Sequence, residues 1–174
     1  MKRIHQPFSK LNLFISAVFL LSGFAALTYQ LVWIKELSLI FGVSYQAVAI
    51  VTSAFMAGLA LGSRIFGSYV DRTSIRPLNL YALLEAGIGG AAMVIPFLLN
   101  MVNHLNIIMV QQNNLPVVLT DIIRFVLCFL VMLVPTTLMG GTLPVMSKFY
   151  INRADDLGKK IAMLYGINTM GGVL

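Results

Sequence analysis

Two charged side chains, Arg64 and Glu85, fall inside otherwise apolar stretches of the chain. Ionisable residues within a hydrocarbon layer are rare and tend to mark ion pairs, proton relays or cation sites. Glu85 lies seven residues beyond Leu78, which is about 10 Å along a helix. Arg64 lies six residues before Val70, or about 9 Å, measured from the same end. If the two stretches are adjacent antiparallel helices, the charges sit at one depth and can offset a burial penalty of several kcal/mol. In a second reading Arg64 snorkels to the headgroups and Glu85 is protonated or hydrogen-bonded to a neighbour such as Tyr81. A proton- or cation-coupling role for Glu85 is a third reading, and the sequence leaves all three open.

Other chemistry-bearing residues are sparse. Cys128 is the single cysteine and lies within an apolar run, where a cysteine behaves as a small hydrophobe. His5 and His104 fall on opposite sides of the membrane in the topology derived below, so no shared metal is expected. No P-loop, HExxH or nucleophile elbow occurs. Gly87-Ile-Gly-Gly90 has no strand before it and reads as a helix-packing segment rather than a phosphate cradle. A nucleic-acid site calls for a basic face interleaved with aromatics, which the sequence lacks, so no nucleic-acid partner is expected. No cofactor is expected either.

The elements that must hold these residues follow from composition. Hydrophobic residues make up 59% of the chain and charged residues 10%, with a mean hydropathy of +0.89. A soluble domain carries about 25% charged residues to face water. The expected fold is therefore an all-α, polytopic transmembrane helix bundle in contact with a lipid bilayer, forming one domain over residues 1–174. A span needs roughly 20 apolar residues to cross about 30 Å of hydrocarbon. Spans are predicted at 11–31, 47–67, 78–102 and 122–147, with an incomplete fifth from Ile161. Fourteen residues remain from Ile161 to Leu174, about 21 Å of helix, so the chain reads as truncated within a span. The first run outlasts a signal-peptide core, and Ala25-Ala-Leu27 is a poor cleavage site, so it is read as a retained helix.

Lysine and arginine set the orientation. Lys2, Arg3 and Lys10 precede the first span, Arg72 and Arg76 lie between the second and third, and Lys148, Arg153, Lys159 and Lys160 follow the fourth. The alternate connections are poorer: one has Lys35 beside Glu36, the other has no Lys or Arg between His104 and Asp121. By the positive-inside rule the N-terminus is cytoplasmic, and the net charge of +6 follows from topology and contact with anionic lipid. The outer connection 103–121 reads as a short interfacial helix or a plain loop.

Ala54, Gly58 and Gly62 recur every fourth residue and line one helix face, a pattern that lets membrane helices approach closely. Glycines in the third, fourth and fifth runs are read the same way, with helix sliding during transport as the alternative. Pro135 and Pro144 each remove a backbone hydrogen bond and are expected to bend the fourth helix.

Gly67-Ser-Tyr-Val-Asp71-Arg72, with Arg76 after it, resembles the G-x-x-x-D-R loop between the second and third helices of major facilitator superfamily transporters. Further stretches are closer to one family: Ser22-Gly-Phe-Ala-Ala-Leu-Thr-Tyr-Gln-Leu-Val-Trp33, Ala54-Phe-Met-Ala-Gly-Leu-Ala-Leu-Gly-Ser63 and Leu80-Tyr-Ala-Leu-Leu-Glu-Ala-Gly-Ile-Gly89. Pro135-Thr-Thr-Leu-Met-Gly-Gly-Thr-Leu-Pro144 and Leu164-Tyr-Gly-Ile-Asn-Thr-Met-Gly171 continue the pattern. From about Phe19 onward the chain resembles the membrane-bound spermidine synthase-like proteins, in which a major facilitator-like helical domain precedes a cytoplasmic aminopropyltransferase domain. The resemblance implies a setting in polyamine biosynthesis, in the inner membrane, with further helices and that cytoplasmic domain as partners. The aminopropyltransferase part has no counterpart in these residues, so none is assigned as catalytic acid, base or cofactor ligand. Two other functions stay open: half of a major facilitator-like transporter for a cation or small metabolite, and a purely structural membrane module. A transport path would draw on Gln30, Glu85, Tyr165 and Asn168.

Overall fold

The computed structural model describes residues 10–113, 116–150 and 157–173. The described residues form five helices and no strand: α1 (Lys10–Phe41), α2 (Ser44–Arg72), α3 (Pro77–Asn113), α4 (Val117–Tyr150) and α5 (Leu157–Val173). Four segments are long and apolar enough to cross a membrane: Leu13–Phe41, Ser44–Arg72, Pro77–Leu105 and Val118–Phe149. The shortest of them, at 29 residues, reaches about 44 Å, well beyond the hydrocarbon thickness. The apolar stretch of α5, Ile161–Val173, is shorter. Large apolar side chains such as Met56, Met93, Phe97 and Leu39 are more than 70% exposed, which suits a surface solvated by lipid tails rather than by water.

The helices outrun the predicted spans because a helix ends where its backbone is stopped, not where hydrophobicity fades. Hydropathy predicts the first span at 11–31, with a connection around Lys35 and Glu36, yet α1 continues through both residues to Phe41. It ends at Gly42, whose φ of 72° is costless without a Cβ and whose N–H reaches the Ser38 carbonyl at 3.0 Å. The outer connection 103–121 is mostly helix, since α3 extends to Asn113 and α4 begins at Val117. Pro116 opens α4, its carbonyl accepting the N–H groups of Leu119 and Thr120. Between α2 and α3, Thr73 turns extended and its hydroxyl accepts the Ile75 N–H at 3.3 Å. Pro77 then starts α3 at the position where its missing N–H costs nothing. α4 remains helical through Pro135 and Pro144.

The chain divides into two compact units, Tyr29–Tyr150 and a second that combines Met1–Thr28 with Ile151–Leu174. In the larger unit α4 packs against both α2 and α3, whereas α2 and α3 make no comparable contact with each other. Pairs along the α2–α4 seam advance together, from Ala54 with Thr136 through Gly62 with Gly140 to Asp71 with Lys148, so the two helices are parallel. α3 is the return crossing that parallel neighbours require. Near one end of this unit Trp33 is 1% exposed, stacked on Tyr29 at 5.7 Å and tilted against Phe55 at 5.8 Å between ring centroids. In the smaller unit Gly23, Gly171 and Gly172 bring α1 and α5 together, and Asn168 Nδ2 donates to the Phe19 carbonyl at 3.1 Å.

Candidate functional site

The closest helix contact in the larger unit is built from the small residues of α2. Ala54, Gly58 and Gly62 are all buried and face α4. A Cβ placed on Gly58 would overlap the Thr136 side chain, and one on Gly62 would overlap the Thr137 carbonyl. From the other side, a Cβ on Gly140 would run into the backbone of Leu59, and one on Gly141 into the ring of Phe66. At this separation Thr136 Oγ1 lies 3.1 Å from the Ala54 carbonyl, 2.8 Å from Met132 O and 3.2 Å from Leu133 O. One hydroxyl proton is shared among three acceptors, and its inter-helix partner ties the seam where it is fully buried. Glycines elsewhere differ: a Cβ on Gly89 or Gly90 would meet no atom within 4 Å, and Gly87 faces only the end of the Leu138 side chain.

At the C-terminal ends of the same two helices lies the loop motif. Lys148 Nζ donates to Asp71 Oδ1 at 2.6 Å, in a pair whose side chains are 49% and 63% exposed. Gly67 sits opposite Pro144, at a distance where a Cβ would make ordinary contact. Arg72 and Arg76 are exposed, and the Arg76 carbonyl accepts the N–H groups of Asn79 and Leu80, capping α3. In the sequence Lys148 stands out only as one of the basic residues after the fourth span. Its role as the Asp71 partner becomes visible once α2 and α4 are known to be parallel neighbours in register.

The intramembrane charges are not brought together among the described residues. Arg64 is exposed and lies two positions beyond Gly62, about 200° around the helix, on the side away from α4. Glu85 is half-buried on α3, with buried Tyr81 one turn before it, and α3 packs on α4 rather than α2. The proposed pairing took helices adjacent in sequence to be adjacent in space; here α4 is the neighbour of both.

The remaining candidates are scattered. Cys128 is buried, His104 is exposed, and His5 lies outside the described residues, as do Lys2, Arg3 and Arg153. Gln30 is half-buried in the larger unit. In the smaller unit Tyr165 is exposed, and Asn168 is engaged by the α1 backbone. No group of three His, Cys, Asp or Glu able to hold a metal occurs among the described residues. The architecture thus defines an all-α helical bundle with four helices suited to a bilayer. Compared with protein-family models, curated proteins and solved structures, the chain matches none.

Proposed function

We propose that this chain is the helical membrane module of a membrane-bound spermidine synthase-like protein. In this reading it is a major facilitator-like bundle of the inner membrane, with a cytoplasmic N-terminus, that holds a cytoplasmic aminopropyltransferase domain at the bilayer. The observation that carries the reading is the α2–α4 seam. Two stretches that bear the family resemblance, 54–63 and 135–144, are the two that close on each other, glycine against backbone, with a buried threonine between them. Segments that build a fixed helix contact fit an anchoring module, because close backbone approach is what holds helices together in lipid.

The test has two arms. An antibody against the chain, used on membranes of the native cells, should detect a product long enough to include an aminopropyltransferase domain. A native product of only 174 residues would overturn the anchoring role. In the second arm the purified 174-residue chain in detergent should not convert putrescine with an aminopropyl donor, and proteoliposomes holding it should not accumulate polyamine. Turnover by this chain would displace the anchoring reading in favour of an enzyme, and accumulation would displace it in favour of a transporter.

A further inference from the structure

At the end of the larger unit opposite the Lys148–Asp71 pair, a cavity of about 360 Å³ opens between the end of α1 and the starts of α2 and α4. That volume falls in the range of roughly 300–1,000 Å³ occupied by small-molecule sites. Tyr45 on its wall is 26 residues before Asp71, about 39 Å along α2, so the cavity lies at the other membrane boundary. The wall is mostly apolar, with Ile50, Val118 and Ile122 in it, and the rings of Phe41, Tyr45 and Phe125 join them. Asp121 is the one charged side chain among the described lining residues. It is half-buried and makes no hydrogen bond or ion pair with any described residue. Phe125 is held in place by stacking on Phe129, with ring centroids 6.2 Å apart. Arg124 does not line the cavity; its guanidinium lies 4.7 Å from the centroid of the Phe41 ring and takes up one face of it. Tyr45 and Phe125 are then the rings left to meet an occupant.

A carboxylate set among aromatic rings attracts positive charge in two ways, by direct Coulomb force and through the ring quadrupoles. The Arg124 charge, one turn beyond Asp121 on α4, works against that attraction. A compact hydrated cation therefore gains little here, since it has only Asp121 to hold it and a large desolvation cost to meet. A cation that carries its own apolar body gains from the wall as well, because burial of apolar surface adds to the charge attraction. We infer that this cavity binds a lipophilic organic cation, with Asp121 as its counter-ion, the Tyr45 and Phe125 rings beside its charge and the aliphatic wall around its apolar body. The inference stands on the cavity and is independent of any tie to polyamine synthesis. A polyamine spreads several charges along a hydrophilic chain and would meet one carboxylate in a mostly apolar wall.

The test uses the full chain, purified in a non-ionic detergent. Equilibrium dialysis would compare radiolabelled tetraphenylphosphonium with tetraphenylborate, two ions of like shape and opposite charge, after subtraction of uptake by empty micelles. The chain should bind the phosphonium and hold the borate at least about tenfold more weakly, as a single carboxylate counter-ion requires. Asp121→Asn should weaken phosphonium binding about tenfold, the effect of removing a half-buried counter-ion. It should leave the thermal unfolding of ligand-free protein unchanged, since Asp121 has no partner to lose among the described residues. Asp121→Glu keeps the charge and should keep most of the affinity. Phe125→Leu keeps apolar bulk without the ring and should weaken binding roughly two- to fivefold, the worth of one partly solvated cation–π contact. That variant keeps the test readable if Asp121→Asn fails to fold. Equal binding of the two ions by the unaltered chain, or none of either, would overturn the site, as would phosphonium binding that Asp121→Asn leaves unaltered. Full displacement of the phosphonium by equimolar spermidine or dioleoyl-phosphatidylethanolamine would also overturn it, by showing a hydrophilic amine or a lipid headgroup as the occupant.

Discussion

Not every glycine in this chain has the same function, and the difference is a matter of what each would touch. Gly62 lies where a methyl group would overlap the Thr137 carbonyl, an atom fixed in the backbone of α4. Gly89 lies in α3 with nothing within 4 Å of its missing Cβ. Gly62→Ala should therefore destabilise the protein by about 1–3 kcal/mol, since the helices must separate to admit the methyl group. Gly89→Ala should be neutral or stabilising by up to about 1 kcal/mol, because alanine loses less backbone entropy in a helix. Thermal unfolding in detergent, followed by helical circular dichroism, checks the contrast. Equal effects at both positions would show that the seam is looser than these distances indicate.

At the scale of the helices, α4 is the organising element, and two ionic relationships follow from its position. Because α4 separates α2 from α3 and Arg64 faces away from it, Arg64 and Glu85 should be energetically independent. A double-mutant cycle of Arg64→Ala and Glu85→Ala should give a coupling within about 0.5 kcal/mol. A coupling of several kcal/mol would mean that α2 and α3 meet directly. Asp71 and Lys148 do meet, but their side chains are 63% and 49% exposed at the helix ends, where water and salt screen them. Their coupling, measured by the cycle of Asp71→Asn and Lys148→Gln, should stay below about 1 kcal/mol and fall as ionic strength rises. A larger, salt-insensitive value would place the pair in a drier setting than its exposure indicates.

For the whole molecule, orientation is the property with the widest consequences. Reporter fusions at Gln6, Ser74 and Asn152 should all read cytoplasmic and one at Asn113 external, following the one-sided lysines and arginines. A cytoplasmic reading at Asn113 would invert the assignment. Composition and the lengths of the apolar runs were enough to determine that the chain is helical and carries four segments able to cross a bilayer, because hydrophobic transfer is summed over local sequence and needs no partner. The four-residue spacing of Ala54, Gly58 and Gly62 also shows in the sequence, since spacing alone puts them on one face. Tertiary structure alone decided what that face meets. A sequence order of α2, α3, α4 does not reveal that α2 and α4 lie side by side and parallel. That arrangement separates Arg64 from Glu85, joins Asp71 to Lys148 and, among the described residues, leaves open space at the missing Cβ of Gly89 and Gly90. Helix ends were similarly hidden, since Gly42 ends α1 through its positive φ and Pro116 opens α4, local backbone features to which hydropathy is blind. Which helices become neighbours depends on long-range fit between surfaces, a property of pairs of segments that no single segment carries.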